Sequence, residues 1–283
     1  MEIKQISVIG GGTMGNGIAH VFALNGFNVN LIEKDNMLVE KAFQSIEKNL
    51  ERQLKKNIIT EDRKRNSMQR INKIIGVENI PSESDLVIEA IYEDKEAKLQ
   101  IFKLIEPLLK SECIIATNTS SISITELSVS CRTDRFIGMH FMNPVPVMKL
   151  VEIIRGYSTS NDTFSTIKEA ALKLGKVPVE VYDFPGFISN RILMPMINES
   201  VFALMEGVAS AEDIDKVMKL GMNHPMGPLT LADFIGLDVC LAIMEVLYSG
   251  FNDSKYRPCP LLKKMVAAQK LGKKTGEGFF KYN

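Results

Sequence analysis

A glycine-rich turn near the start of the chain limits its possible folds more than any other feature. Residues 6–9 (Ile-Ser-Val-Ile) form a short apolar run typical of a buried strand, and residues 10–15 (Gly-Gly-Gly-Thr-Met-Gly) follow it and lead into an apolar helical segment. In such a unit Gly10 permits the tight bend, Gly12 lets a ligand approach the backbone, and Gly15 lets the helix pack closely on the strand. The pattern predicts the first half of a βαβ unit.

The next predicted strand, residues 29–32, is followed by Glu33, which comes twenty-one residues after Gly12. A carboxylate at this place accepts hydrogen bonds from both hydroxyls of an adenosine ribose, and it repels the 2′-phosphate of NADP. The amides at the start of the helix suit a pyrophosphate. The combination predicts an NAD site. The alternative is an ordinary tight turn beside a solvated glutamate.

Short β-branched runs alternate with helical stretches through the first two-thirds of the chain, which is typical of a parallel sheet covered on both faces. Further strands are predicted at residues 86–88, 114–116, 136–138, 151–154 and 177–181. After Asp-Phe-Pro-Gly at 183–186 these runs stop, and Met, Leu and Ala recur at helical spacing. We therefore predict an α/β, Rossmann-like, mostly parallel sheet domain in residues 1–184 and an all-α domain in residues 185–283.

The stretch between the second and third predicted strands is longer than a simple crossover needs. Residues 39–57 and 61–74 are predicted to form two helices, so that a helical hairpin is inserted into the sheet domain. From Lys41 to Lys73 there are ten basic and four acidic side chains, a local net charge of +6. This hairpin is either a surface for an anionic ligand or a solvated pair of charged helices.

Composition argues against several classes of protein. Lys+Arg and Asp+Glu both total 34, so the chain as a whole has no electrostatic preference for nucleic acid or an anionic membrane. No apolar run approaches the roughly 18 residues that a membrane span needs. The four cysteines lie far apart, which predicts free thiols and no metal site. Residues 1–5 lead almost at once into a strand, so we expect no signal peptide and a cytoplasmic protein.

Three histidines are candidates for acid–base chemistry. His20 lies within the first helix and His224 in a loop before a proline, where we favour structural roles. His140 ends a predicted strand at the carboxyl edge, where open α/β sheets bind their ligands. Glu152 lies twelve residues later among apolar residues, where a carboxylate needs a partner. We predict that Glu152 pairs with His140 and fixes its tautomer; the alternative is that the two never meet.

Residues 118–121 (Asn-Thr-Ser-Ser) follow another predicted strand, so their hydroxyl groups are expected at the same edge of the sheet. They are candidates for binding a substrate. The alternative is that they form an N-cap or a serine turn for a helix from Ile122 onwards.

The order of these motifs resembles that of the L-3-hydroxyacyl-CoA dehydrogenase family. The matching segments are Gly-x-Gly-x-Met-Gly at 10–15, Asn-Thr-Ser-Ser at 118–121, Gly-Met-His-Phe-Met-Asn-Pro at 138–144, Pro-Gly-Phe-Ile-x-Asn-Arg at 185–191, Pro-Met-Gly-Pro at 225–228 and Gly-Lys-Lys-Thr-Gly-Glu-Gly-Phe at 272–279. The resemblance covers essentially the whole chain. Within the family the sequence is similar to the bacterial 3-hydroxybutyryl-CoA dehydrogenases.

The resemblance implies an NAD-dependent oxidoreductase that interconverts (S)-3-hydroxyacyl-CoA and 3-ketoacyl-CoA, with short substrates such as 3-hydroxybutyryl-CoA and acetoacetyl-CoA. It implies that His140 is the catalytic acid/base paired with Glu152, and that Ser120 and Asn190 hydrogen-bond the substrate. With the glycine turn included, the residues predicted to contact NAD are Gly10, Gly12, Thr13, Met14, Gly15, Glu33, Glu93, Lys98 and Asn118.

The resemblance also suggests roles for the hairpin and for the helical domain. Coenzyme A carries an ADP and a 3′-phosphate, and Lys48, Arg52, Lys55 and Lys56 fall within about two turns of one helical surface. Arg52 and Lys56 are predicted to bind this head group, with Lys56 as the first candidate. The helical domain carries many apolar residues and is expected to join two subunits in a homodimer.

Two other functions stay open at this point. A relative on the same scaffold would oxidise a different hydroxy acid, such as a sugar acid, and the basic hairpin favours the CoA ester over that substrate. A non-catalytic NAD-binding protein is the other alternative, but the presence of both His140 and Glu152 argues against it.

Overall fold

The first part of the structure is built on a mostly parallel sheet. The computed structural model describes residues 2–282; Met1 and Asn283, the outer ends of the two predicted domains, lie outside the described residues. The strands of the described chain are β1 (Gln5–Ile9), β2 (Asn28–Glu33), β3 (Ile71–Ile75), β4 (Leu86–Glu89), β5 (Ile114–Thr117), β6 (Phe136–Phe141), β7 (Leu150–Arg155) and β8 (Val177–Tyr182). They lie in the order β3-β2-β1-β4-β5-β6-β7-β8, and every neighbouring pair is parallel except β6 with β7. The predicted Rossmann-like, mostly parallel sheet is confirmed.

Helices accompany this sheet and bury its apolar side chains. They are α1 (Thr13–Leu24), α2 (Asn36–Lys55), α3 (Glu61–Gln69), α4 (Lys95–Ile105), α5 (Ile124–Ser128) and α6 (Asn161–Lys173). Ile18 and Phe22 of α1 pack with Ile6 and Val8 of β1 in one buried cluster. All four residues from Ile6 to Ile9 are buried, so both faces of β1 are covered, which explains why it is a near-continuous apolar run.

The prediction of a helix over residues 61–74 is wrong at its end. Helix α3 stops at Gln69, and Ile71–Ile75 forms the edge strand β3, which pairs in parallel with β2. Three of these five residues are isoleucines, whose branched Cβ restricts the side chain in a helix and suits a strand. The open edge of β2 supplies hydrogen bonds that a pattern within one segment cannot reveal. Helix α2 also begins three residues before the predicted start, because the Asp35 side chain accepts a hydrogen bond from the Leu38 amide at 2.9 Å.

The chain divides into two compact units, the first ending at Asp183 and the second beginning at Phe184. The second unit is helical, with α7 (Ser189–Met205), α8 (Ala211–Gly221), α9 (Pro228–Ile235), α10 (Leu237–Phe251) and α11 (Pro260–Ala267). Its own core contains Ile197, Leu229 and Leu247. Buried Asp233 accepts hydrogen bonds from the amides of Phe279 and Phe280 at 2.9 Å and so ties the C-terminal segment to α9. Over residues 2–282, no helix combines the length and the apolar character that a membrane span requires.

Candidate active site

The glycine turn after β1 has the geometry that its sequence predicts. Gly10 has a φ of 94°, and a Cβ on it would lie 2.8 Å from the carbonyl oxygen of Ala90. A Cβ on Gly15 would lie 1.7 Å from the carbonyl oxygen of Gly10, so the helix can approach the turn only without a side chain there. Gly12 is different, since a Cβ on it would meet no described atom within 4 Å. The space beside Gly12 is open, as a site for a pyrophosphate requires.

Glu33 ends β2 beside this turn. Its Oε1 accepts a hydrogen bond from the Gly11 amide at 2.7 Å, and its Oε2 accepts one from the Lys34 amide at 3.2 Å. The carboxylate is therefore held against the glycine turn and is only partly buried. Its predicted contact with the ribose hydroxyl groups of NAD stays a prediction.

A cavity of about 850 Å³ opens along the carboxyl ends of β1, β2 and β4. Its wall extends from the glycine turn to Asn118, the residue that follows β5. Predicted cofactor residues that line it are Gly10, Gly12, Thr13, Met14, Glu33 and Asn118. Apolar side chains such as Leu38 and Ile101 also line it, as is usual in pockets that bind planar rings. The residues present thus fit a dinucleotide.

The predicted pairing of His140 with Glu152 is present in the structure. Strands β6 and β7 are antiparallel, and their register places His140 directly opposite Glu152. The His140 Nδ1 lies 2.7 Å from the Glu152 Oε2, and the two residues are 7% and 1% exposed. With Nδ1 held by the carboxylate, the remaining ring nitrogen, Nε2, is the one that proton transfer to a ligand would use.

His20 occupies a different environment. It is fully buried in α1, its Nε2 lies 3.2 Å from Gln53 Oε1, and its Nδ1 has no hydrogen-bond partner within residues 2–282. Burial lowers the pKa of His20 to about 4, so the ring is neutral at pH 7. It is a packing residue, as the sequence indicates.

The loop of residues 118–121 is held by Glu93. The Oε1 of Glu93 accepts hydrogen bonds from Thr119 Oγ1 at 2.6 Å, the Ser120 amide at 2.8 Å, and the amide and hydroxyl of Ser121, each at 3.0 Å. The N-cap of the following helix, α5, is Ser123, so these residues do not serve as that cap. Glu93, predicted as a cofactor contact, is thus also the group that shapes the loop containing Ser120.

Asn118 links this loop to the strand that carries His140. Its side-chain Oδ1 accepts a hydrogen bond from the backbone amide of Phe141 at 3.0 Å, and its backbone amide donates to the carbonyl oxygen of Glu89 at 2.8 Å. The side chain and the backbone of Asn118 therefore join the ends of β4, β5 and β6. This arrangement holds His140 and the loop at the same sheet edge.

Lys98 and Glu89 form a buried ion pair, of which the sequence analysis identified only Lys98. Lys98 is predicted as a cofactor contact, but its side chain is 1% exposed and its Nζ lies 2.6 Å from Glu89 Oε1. Glu89 was not predicted, although a carboxylate that ends an apolar strand needs a partner, as Glu152 does. That signal was available in the sequence.

The basic hairpin lines a second cavity of about 290 Å³. Lys48 and Arg52 contribute to its wall, together with Asn16 of α1 and the segment 143–146 that follows β6. Lys56 caps the C-terminus of α2 and is not among the residues that line this cavity. Two cations of the predicted group thus share a pocket, while the contact predicted for Lys56 stays a prediction.

Asn190 lies in the second unit, in the first turn of α7. It is 8% exposed, and its backbone amide donates to the carbonyl oxygen of Gly186 at 3.1 Å. Its predicted contact with substrate stays a prediction.

Comparison with known proteins gives a consistent assignment for both units. Residues 5–184 match the NAD binding domain of 3-hydroxyacyl-CoA dehydrogenase, and residues 186–282 match the C-terminal domain of the same enzyme. The chain is 54% identical over 283 residues to a probable 3-hydroxybutyryl-CoA dehydrogenase of Bacillus subtilis, covering 100% of this chain and 98% of that protein. It is 40% identical over 287 residues to the human mitochondrial hydroxyacyl-coenzyme A dehydrogenase, covering 99% and 91%.

The fold agrees with a crystal structure of (S)-3-hydroxybutyryl-CoA dehydrogenase from Ralstonia eutropha. The TM-score is 0.97 at 48% sequence identity, and the match covers 100% of both chains. The similarity therefore extends over both units and is not limited to the nucleotide-binding half.

Proposed function

This chain belongs to the 3-hydroxyacyl-CoA dehydrogenase family of NAD-binding oxidoreductases, and we propose that it interconverts (S)-3-hydroxybutyryl-CoA and acetoacetyl-CoA. The observation that carries the proposal is the buried pair of His140 and Glu152, 2.7 Å apart at the carboxyl edge of the sheet. The names of the relatives from Bacillus subtilis and Ralstonia eutropha support a four-carbon acyl group.

In the proposed reaction His140 moves one proton. When the alcohol is oxidised, His140 Nε2 takes the proton of the C3 hydroxyl; in the reductive direction the protonated ring returns it to the C3 carbonyl oxygen. The Glu152 carboxylate accepts the hydrogen bond of the Nδ1–H group, which keeps Nε2 available for proton transfer, and it stabilises the positively charged ring. When bound, NAD would accept the hydride that leaves C3 on oxidation, and NADH would return it on reduction. Ser120 and Asn190 are proposed to orient the substrate oxygen atoms.

The choice of substrate and cofactor can be tested by steady-state kinetics. We expect kcat/KM for acetoacetyl-CoA to exceed that for free acetoacetate by at least about a hundredfold, because the CoA portion contributes binding energy away from C3. We expect NADH to be preferred over NADPH by about a hundredfold or more, since Glu33 would face the 2′-phosphate. Equal rates with the free acid would contradict the proposed substrate, and equal rates with NADPH would contradict the role of Glu33.

We propose that the basic hairpin binds the phosphates of coenzyme A. Lys48 and Arg52 share one cavity, and Lys56 follows at the end of the same helix. A cation that contacts the phosphates of coenzyme A and not the reacting carbon would strengthen binding without changing the chemical step, so it should affect KM and not kcat.

Substituting the hairpin cations should weaken acyl-CoA binding in a salt-dependent way. We expect Arg52→Ala and Lys56→Ala each to raise the KM for acetoacetyl-CoA about three- to tenfold at low ionic strength, with a smaller effect at high ionic strength. Lys173→Ala, in the exposed last turn of α6, is the matched control and should leave KM unchanged. If KM is unaffected by a hairpin substitution at every salt concentration, that residue makes no phosphate contact.

We propose that the helical unit joins two copies of the chain. It leaves many large apolar side chains exposed, as monomeric proteins seldom do. Those on or near its helices include Ile188, Ile192, Met205, Val208, Val217, Leu220, Met222, Phe234 and Val239. A self-complementary apolar surface is typical of a twofold dimer.

Light scattering tests this dimer. The wild-type protein should have the mass of two chains at micromolar concentration, and the double substitution Val217→Asp with Leu220→Asp should shift it towards one chain. These side chains lie one turn apart on α8 and are 59% and 80% exposed. Tyr157→Asp, in the first unit at 93% exposure, is the control and should leave the mass unchanged. A wild-type monomer at micromolar concentration would contradict the proposal.

We propose a cytoplasmic location for the enzyme. Burial raises the pKa values of the Cys113 and Cys240 thiols to about 12, so both stay protonated and unreactive. All four cysteines are free, which suits a reducing compartment.

A further inference from the structure

An ion pair is buried beneath the loop that carries Ser120. The side chains of Glu89, the last residue of β4, and Lys98, in the second turn of α4, are 0% and 1% exposed, and Lys98 Nζ lies 2.6 Å from Glu89 Oε1. A buried ion pair adds little to the stability of a fold, because the loss of hydration offsets most of the attraction and an apolar pair of similar volume is often as stable. Stability alone therefore does not explain this pair.

Both oxygen atoms of Glu89 have partners on different elements. Oε1 accepts hydrogen bonds from Lys98 Nζ and from the Ile91 amide at 2.7 Å, while Oε2 accepts one from Thr117 Oγ1 at 2.6 Å. The carboxylate thus joins the end of β4 to α4 and to the end of β5. Thr117 Oγ1 also accepts a hydrogen bond from the Thr119 amide at 3.3 Å, inside the Ser120 loop.

Lys98 provides a second connection to the same loop. Its Nζ lies 3.5 Å from Glu93 Oε2, and Glu93 Oε1 accepts the hydrogen bond of the Ser120 amide. The loop is therefore linked to Glu89 by two routes, one through Thr117 and one through Lys98 and Glu93. Only the second route passes through a charged side chain near the surface, since Glu93 is 38% exposed.

We propose that Glu89 is a positioning residue for the reaction, which holds the Ser120 loop in place through Thr117 and Lys98. The inference rests on the proposed role of Ser120 in binding the substrate. Loss of the route through Thr117 alone would leave Lys98 and Glu93, both predicted cofactor contacts, in place but would let the Ser120 amide and side chain shift. A displacement of this kind reduces the rate of the chemical step more than it reduces cofactor binding.

Thr117→Val is the most direct test, because it removes the hydroxyl that contacts Glu89 while keeping the ion pair and the side-chain volume. We expect kcat with acetoacetyl-CoA to fall about tenfold, with the Kd for NADH changed less than about twofold. Thr117→Ser restores the hydroxyl and should return kcat to near the wild-type value. Hydrogen exchange of a peptide spanning residues 118–124 should be faster in Thr117→Val than in wild type.

Glu89→Gln tests the charged route as well. It should lower kcat more than Thr117→Val does, because it also leaves Lys98 with Glu93 alone. If this variant does not fold, Thr117→Val decides. Glu106→Gln is the matched control: it breaks the ion pair of Glu106 with Arg132, 3.0 Å apart in the same unit, and should lower Tm without changing kcat.

The outcomes separate this inference from the role on which it rests. If folded Thr117→Val keeps wild-type kcat and loop exchange, the positioning role of Glu89 is overturned. If Ser120→Ala is as active as wild type, the proposed role of Ser120 fails instead. A loss of kcat in Ser120→Ala and in Thr117→Val, with rescue by Thr117→Ser, supports both.

Discussion

Replacing His140 by glutamine should lower kcat for acetoacetyl-CoA reduction by about a thousandfold, while the Kd for NADH stays within about twofold of wild type. Glutamine has nearly the same size as histidine, but its carboxamide cannot act as an acid or a base at neutral pH. The cavity beside the glycine turn, where NAD is expected to bind, does not include His140. Single-turnover kinetics and NADH fluorescence titration measure the two effects separately.

The control for this substitution is His224→Gln, which changes a histidine in the loop after α8 and should leave kcat unaltered. Turnover of His140→Gln within tenfold of wild type would show that another group transfers the proton. Glu152→Gln extends the test, because its carboxamide can present an NH2 group to Nδ1 and so place the ring proton on Nε2, where it blocks the base. We expect that variant to lose about a hundredfold in kcat.

Replacing Gly15 by alanine should prevent the nucleotide site from forming. The added Cβ would lie 1.7 Å from the Gly10 carbonyl oxygen and 2.8 Å from the carbonyl carbon, both backbone atoms that cannot rotate away. Helix α1 would have to move away from β1, and its buried face with it. We expect the free energy of unfolding to fall by about 3 kcal/mol or more, together with the loss of NADH binding.

Gly12→Ala provides the comparison within the same turn. Gly12 has a φ of −60°, which alanine adopts readily, and the new Cβ would meet no described atom within 4 Å. We expect Tm to stay near the wild-type value, while the Kd for NADH rises at least about tenfold because the Cβ occupies the space of the pyrophosphate. Thermal melting and NADH titration of both variants distinguish the two glycines. Unchanged NADH affinity in Gly12→Ala would contradict the proposed position of the cofactor.

Much of the fold could be predicted from the sequence because its signals are local. A strand that is buried on both faces must be apolar at nearly every position, and a glycine turn between a strand and a helix is typical of a nucleotide-binding βαβ unit. Seven of the strands therefore lie where residue patterns place them. The pairing of His140 with Glu152 was accessible for a similar reason, since a carboxylate inside an apolar run requires a partner close by.

Other features depend on contacts between distant segments. Strand β3 exists because the edge of β2 offers it hydrogen bonds, and the isolated segment 61–74 carries no sign of that edge. Lys48 and Arg52 line a cavity while Lys56 does not, because the segment after β6 closes against α1 and the middle of α2. The ion pair of Glu89 with Lys98 and its route to the Ser120 loop likewise follow from strand order.

By itself the sequence determined the sheet class, the glycine turn and the acidic end of β2, because each depends on neighbouring residues or on a single helical or strand period. The tertiary structure decided the register of β6 with β7. That register places His140 opposite Glu152, and a shift of one residue would turn one side chain to the opposite face of the sheet. It also decided how Glu89, Thr117 and Glu93 converge on the Ser120 loop, since hydrogen bonds of 2.6–2.8 Å between separate strand ends require their positions in space.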